Sequence, residues 1–227
     1  MDAHKYEMLY KLSPKAYDFL YSVRKKTINF LFIRRNRKFI AKNLDVNEDY
    51  RKEYENLMLA INSKDNSDLE SPFGLYLYDL VRKRKPNVFL ETGVRRGFSS
   101  RLILEAMAKN GSGLLVSTEI SSGVGELVTE NLKSRWKLII ADEKEVLANA
   151  LSTINKIDIF LHDSNHGYEA MKAEFDAIKE KMQSDGTILS DDIEENNAFM
   201  EFAVSRGKNP LIIPGAAECF GIIYLKP

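Results

Sequence analysis

Three side chains able to carry or exchange a proton, His162, Asp163 and His166, fall within five positions of the stretch "IFLHDSNHGYEAMKAEF", residues 159–175. They follow directly on an apolar run. An imidazole has an unperturbed pKa of about 6.5, so His166 is suited to taking a proton near neutrality from a group held beside it. Asp163 sets a carboxylate three residues before that ring. A second pair of acids, Asp191 and Asp192, closes another apolar run, "GTILSDD". Side chains alternate along a strand, so His162 faces away from Asp163, and a hydrogen-bonded structural role is favoured for it. His4 has no comparable context.

Groups at the ends of apolar runs need strands to carry them, and the chain supplies these in a regular order. From residue 87 short apolar runs alternate with helical patterns: strands at 87–93, 113–120, 137–142, 157–163 and 186–192. Helices are expected at 98–111, closed by a glycine, at 126–136, 143–153 and 166–183, and near 196–206. Such alternation predicts a parallel sheet covered by helices on both faces. The ending departs from it, because "NPLIIPG" and "CFGIIYLKP" read as two strands with only a glycine-containing loop between them, which is a hairpin. Residues 1 to about 80 read as helical, with Ser13 and Pro14 as cap and first residue of one helix. The polar, turn-rich "NSKDNSDLESPFG", residues 62–74, divides this lead from the rest, giving an extension over 1–74 and a catalytic domain over 75–227.

The whole chain of 227 residues balances 33 basic against 33 acidic side chains, which argues against a nucleic-acid partner. The balance hides an asymmetry: residues 1–42 hold eleven Lys and Arg and three acids, so this segment is +8 and the remainder −8. A basic amphipathic helix of this kind can lie on an anionic membrane, steer an acidic substrate, or pack on the core or a second subunit. No uncharged apolar stretch approaches the roughly 20 residues of a membrane span. Early lysines break any secretion signal, so the cytoplasm is the expected location. The single cysteine, Cys219, excludes an internal disulfide and reads as a small buried hydrophobe.

In an open α/β sheet ligands bind beyond the carboxyl ends of the strands, which turns attention to the loop after the first one, "ETGVRRGFSS". Gly93 and Gly97 permit a sharp turn and close approach of a ligand, and Ser99 opens a helix with free N–H groups; a tight turn alone would also want these glycines. Arg95 stands where a dinucleotide fingerprint would have its second glycine, which weighs against NAD. Glu119 ends the second strand, about 26 residues beyond Gly93, near the distance at which an acid accepts from ribose hydroxyls. Asp142 ends the third, where it could meet an adenine amino group or cap the next helix.

"VFLETGVRRGFSS", "VSTEI", "IIADEKEVL", "IDIFLHDSNHGYE" and "GTILSDDI" together resemble the successive motifs of class I S-adenosylmethionine-dependent methyltransferases, over roughly residues 75–227. Within them the likeness is greatest to metal-dependent O-methyltransferases of the catechol and macrolide-sugar types. The resemblance implies a doubly wound, Rossmann-like, mostly parallel seven-stranded sheet ending in the antiparallel hairpin. It implies that Glu91, Gly93 and Gly97, with Ser99 at the helix start, cradle the methionine part of S-adenosylmethionine, that Glu119 holds the ribose, and that Asp142 lies near the adenine. It further places Asp163, Asp191 and Asp192 as ligands of Mg²⁺ or another divalent cation, which takes carboxylate oxygens from adjacent strand ends. His166 and Asp163 are then the catalytic pair, acting on a hydroxyl of a small molecule or glycan, since Asp-x-x-His is the pattern of the sugar enzymes and the catechol enzymes use a lysine. Asn196 is an auxiliary group or a helix cap. An NAD-linked oxidoreductase and a non-catalytic module binding the cofactor or a membrane glycan are the alternatives. The N-terminal helices would cover the cofactor or form a homo-oligomer interface.

Overall fold

The computed structural model describes residues 14–42, 44–61, 72–215 and 218–226, with side chains from residue 19 onward. Helix α1 spans Pro14–Arg35, so Pro14 is the first helical residue described; Ser13 lies outside the described residues. Helices α2 (Glu48–Ile61) and α3 (Pro72–Arg84) follow, and α3 runs across the expected division at residue 74. The alternating part comprises β1 (Val88–Thr92), α4 (Phe98–Asn110), β2 (Leu114–Glu119), β3 (Trp136–Ile140), α5 (Val146–Ser152), β4 (Ile157–His162), α6 (Tyr168–Ile178), β5 (Met182–Ser190) and α7 (Ala198–Ser205), with β6 (Leu211–Pro214) and β7 (Cys219–Tyr224) closing it.

The seven strands form one sheet in the order β3-β2-β1-β4-β5-β7-β6. Only β7 is antiparallel to its neighbours, β5 and β6, as the hairpin pattern requires. Strand order reverses at β1 and β4, which pair directly, so the ends of these two strands bracket the crevice where ligands bind in such sheets.

Period-two alternation divides each central strand between two cores. Phe89, Ile159, Leu161, Leu189 and Ile222 face α3 and α4, packing on Leu77, Val81, Leu102 and Met107. Leu90, Phe160, Ile188 and Ile223 face the other way, onto Ala150, Met171, Phe175 and Phe199 of α5, α6 and α7. Residues at the carboxyl ends of the strands are thereby held by neighbours on both faces.

The expected helix over 126–136 is replaced by turns and a 3₁₀ segment, Glu130–Arg135, and Trp136 opens β3. Its physical cause is the neighbouring loop: Gly125 and Leu127 donate their N–H groups to the carbonyls of Arg95 and Arg96, which pulls the segment off an α-helical path. The helix at 166–183 is shorter, ending at Ile178, because β5 begins at Met182.

The N-terminal lead is tied to the sheet. Helix α2 is held by Glu53, which accepts from Arg82 and from Tyr78 of α3. Beyond α1 the chain makes a parallel bridge at Ile40 to Ile212, and Ala41 donates to the Ile212 carbonyl at 2.8 Å, partly covering the outer edge of β6. Phe32 and Ile33 of α1 pack against the second core.

Candidate active site

The loop from β1 into α4 is shaped by what lies against it. Gly93 has φ +84°, and a Cβ there would sit 1.9 Å from the carbonyl oxygen of Asp163, so no larger residue fits between the loop and the end of β4. Gly97, with φ +83°, precedes α4, and a Cβ there would come within 2.9 Å of Gly125 Cα. Both glycines serve close approach of backbone to backbone.

The acids of this region fall into two kinds. Glu91 is fully buried and accepts hydrogen bonds from the hydroxyls of Ser99 (2.6 Å), Ser100 (2.6 Å) and Ser117 (2.7 Å). Burial pushes its carboxyl above the usual range, opposed but not overcome by these donors. Glu119 also partly loses solvent, yet backbone N–H groups of Arg95, Val94, Ile120 and Ser121 outweigh that and hold it below the usual range. Glu91 and Glu119 therefore organise the loop from beneath and from the side. Asp142 Oδ1 accepts from the N–H groups of Lys144 and Glu145, closing the turn into α5.

The second kind faces a cavity of about 450 Å³ whose wall includes Gly93, Ser99, Asp163, His166, Asp191 and Asp192. Gly93 and Ser99 are the expected cofactor residues that line it; Glu91, Gly97, Glu119 and Asp142 stand behind or beside the wall. Potential ligand atoms of Asp163, His166 and Asp191 lie within 4.8 Å of one another, and so do those of Asp191, Asp192 and Glu218. The expected trio of aspartates is thus divided between two clusters that share Asp191. Loss of solvent pushes both Asp163 and Asp191 well above the usual carboxylate range, helped by the negative charge of Glu91 and Asp192 for Asp163 and of Asp163 and Asp192 for Asp191, while a hydrogen bond from Asp191 opposes the rise at Asp163.

His166 Nδ1 lies 3.4 Å from Asp192 Oδ2, and its Nε2 is 3.9 Å from Asp163 Oδ1. Nε2 is enclosed without a hydrogen-bond partner among the described residues. Burial pulls the imidazole below its usual pKa despite the nearby Asp192 carboxylate. Asn196 fixes the backbone here: its Nδ2 donates to the His166 carbonyl at 2.8 Å, while its Oδ1 accepts from Ala198 N–H at the start of α7. His162 is fully buried, and its Nδ1 is 2.7 Å from Glu174 Oε2, an oxygen that also accepts from Thr92. That is the hydrogen-bonded placement expected of it, with one addition: its ring meets His166 edge-on, centroids 5.4 Å apart.

Two contributors escaped the sequence reading. Lys25, on α1, reaches across to Asp192 with its Nζ 2.9 and 3.0 Å from the two carboxylate oxygens, both side chains largely enclosed. Glu218, in the hairpin loop, joins the Asp191 and Asp192 cluster. The basic character of the lead was visible, but a separation of 167 positions between Lys25 and Asp192 leaves no local signal of their pairing. Asp192 itself is held at φ +46°, unusual for a residue with a Cβ, and its N–H is captured by Asp191 Oδ1 at 2.7 Å.

A crevice at the β1/β4 reversal, a glycine-bounded loop entering a helix, and a sheet closed by one reversed strand define a class I methyltransferase fold. Residues 90–193 match the family model described as a methyltransferase domain. That match takes in 104 of the 227 residues, and over the rest of the chain the likeness to methyltransferases is one of fold. Solved structures of similar fold include an O-methyltransferase from Bacillus cereus in complex with S-adenosylhomocysteine, at TM-score 0.55 and 15% identity, covering 80% of this chain and 93% of that one. The S-adenosylhomocysteine-bound methyltransferase PaMTH1 of Podospora anserina is similar at TM-score 0.53 and 18% identity, covering 82% and 92%. The O-methyltransferase TomG of Streptomyces achromogenes, involved in tomaymycin synthesis and solved with S-adenosylmethionine, is similar at TM-score 0.57 and 14% identity, covering 91% and 99%. No curated protein matches the sequence.

Proposed function

We propose that the protein transfers the methyl group of S-adenosylmethionine to a hydroxyl of a small molecule or glycan, with His166 as base and a divalent cation at the aspartates. The observation that supports this is the meeting of Asp163, His166 and Asp191 on the wall of the cavity that also contains Gly93 and Ser99. A cavity of about 450 Å³ is of the size that takes small-molecule ligands.

The residues fit both absent groups. Gly93 and Ser99 line the cavity, Ser99 steadied by Glu91, with Glu119 at the end of β2 and Asp142 two residues beyond β3 on the same edge of the sheet for the nucleoside part. Asp163 and Asp191, carboxylates crowded together at the ends of adjacent strands, suit a hard dication, with Asp192, Glu218 or His166 within reach. When bound there, such an ion supplies Lewis acidity that makes a hydroxyl more acidic.

The protein's own residues do the rest. Asp192, beside Nδ1, favours the tautomer whose Nε2 carries the lone pair, so His166 would take the acceptor's proton at Nε2 once rotation of the ring or seating of the acceptor opens the approach to that enclosed atom. Asn196 holds the His166 backbone while this happens. The acceptor oxygen then attacks the methyl carbon in line, the carbon–sulfur bond breaks with its electron pair moving to sulfur, and S-adenosylhomocysteine is left.

The test is calorimetric titration with S-adenosylmethionine, followed by assay of S-adenosylhomocysteine release against a panel of hydroxylated phenols, sugars and glycosides. Transfer to one of these acceptors is expected, lost in Asp163→Ala and reduced on the order of 100-fold in His166→Ala. Because burial lowers the His166 pKa, the rate should fall only when the pH drops below the ordinary histidine value, as Nε2 becomes protonated. Absence of cofactor binding, or full activity in Asp163→Ala, would overturn the reading.

A further inference from the structure

Helix α1 has two faces with different fates. One carries Lys25 to Asp192, and Asn29, which is 4% exposed, accepts from the Cys219 thiol at 3.0 Å and reaches the Gly215 carbonyl. Phe32 and Ile33 pack on the second core from that side. The other face is apolar and uncovered: Phe19 is 68% exposed, Phe30 63% and Leu31 55%, with Val23 and Leu20 beside them. At 100° per residue these five side chains share an arc of roughly 120°.

The charges around that stripe all have one sign. Lys26, Arg34, Arg35, Arg37 and Lys38 are exposed, and residues 19–42 contain no acid. The helix is apolar on its inner face too, so it is not strongly amphipathic as a whole, but with that side fixed to the protein the uncovered strip framed by cations is free to meet a lipid interface. We propose that α1 seats the protein on an anionic lipid surface, with Phe19, Phe30 and Leu31 entering the acyl boundary and the basic residues meeting phosphate headgroups.

Two alternatives fit the same face less well. An isologous contact with a second copy would bring these cations against their own counterparts with no acid on the strip to offset them. A membrane-spanning role is incompatible with the helix itself, since no described helix is long and apolar enough to cross a membrane. The lipid plane would lie about one helix diameter, roughly 10 Å, from the cavity that Lys25 lines. Docking and catalysis would then share one helix without sharing a residue.

The experiment is co-sedimentation of the full chain with vesicles of phosphatidylcholine alone or containing about 30% phosphatidylglycerol, at low and physiological salt. Binding to the anionic vesicles is expected at least about tenfold above the neutral ones, weakening as salt is added. Phe19→Glu with Phe30→Glu should abolish it, and Lys26→Gln with Arg34→Gln should reduce it several-fold, both variants keeping the wild-type circular dichroism and cofactor affinity. Failure of the wild-type chain to bind anionic vesicles overturns the proposal. So does light scattering that shows a stable dimer dissociated by Phe30→Glu, which would assign the face to a second copy. Vesicle binding needs neither metal nor methyl acceptor, so its outcome stands apart from that of the proposed reaction.

Discussion

Glu91 steadies the β1–α4 loop from behind the cavity wall. It is a carboxyl without a cationic partner among the described residues, enclosed by three serine hydroxyls, and burial raises it above the ordinary carboxylate pKa. The sign of the stability effect follows. Below the unfolded value both states are neutral and nothing is lost, whereas between the unfolded and the raised folded pKa the unfolded chain releases a proton the folded one retains, so stability falls as pH rises. Glu91→Gln, equally polar but never charged, should raise the thermal midpoint at pH 7.5 by about 2–4 °C, with the gain disappearing near pH 4. Differential scanning calorimetry at both pH values checks it; a lower midpoint at pH 7.5 would show the charged form to be the stable one. At this scale the sequence was informative where a residue ends a strand. Asp163 and Asp191 were legible because the apolar runs before them fix their position at the crevice. Glu119 was legible as a strand-end acid, but its four backbone partners were not, because the fold of residues 94–95 over it depends on Gly93 lying against Asp163.

Among the elements, α1 is where reading and structure differ most in kind. Its helical periodicity and basic character were plain, yet its contribution of a cation to the acid cluster depends on a tertiary contact that no spacing encodes. Lys25 is the lysine the structure places on Asp192, and charges at such separations interact by several kcal/mol at partly enclosed sites. Replacing it should therefore let the aspartates bind a dication more tightly: Lys25→Met is expected to strengthen Mn²⁺ binding on the order of tenfold, measured by calorimetry or electron paramagnetic resonance. Unchanged affinity would mean that Lys25 and the ion do not compete for Asp192. The segment 126–136 teaches the complementary lesson. "ELVTENLKSRW" has helix-forming composition, but its carbonyl and amide partners lie in the β1–α4 loop, and tertiary hydrogen bonds override local preference.

The sheet as a whole was the most legible feature, because alternation of strand and helix admits few topologies and a final pair of strands without a helix must reverse direction. Burial on both faces explains why those strands read as nearly continuous apolar runs. What sequence pattern did not convey is how the lead joins this body. Helix α1 and the segment after it reach the last third of the chain through the Lys25 pair, the Asn29 contact with Cys219 and the bridge at Ile40, while Phe32 and Ile33 pack on the second core. Made by a helix with one uncovered face, these attachments should open more readily than the sheet. Native-state hydrogen exchange is expected to show α1 amides exchanging well before those of β1, β4 and β5, and equal protection would contradict this.

The bridge between Ile40 and Ile212 also sets an order in time. During synthesis residues 14–42 leave the ribosome early, but Asp192, Ile212 and Cys219, to which they attach, are among the late arrivals. At about 5–20 residues per second the basic helix waits for roughly ten seconds or more without its final partners. The strip that the finished protein leaves uncovered is then accompanied by an inner face still lacking its seat, so the nascent chain offers lipid or chaperone a cation-rich segment apolar on two sides. Acquisition of Lys25 by the acid cluster becomes a late event in folding, and the site is complete only when both ends of the sequence have met.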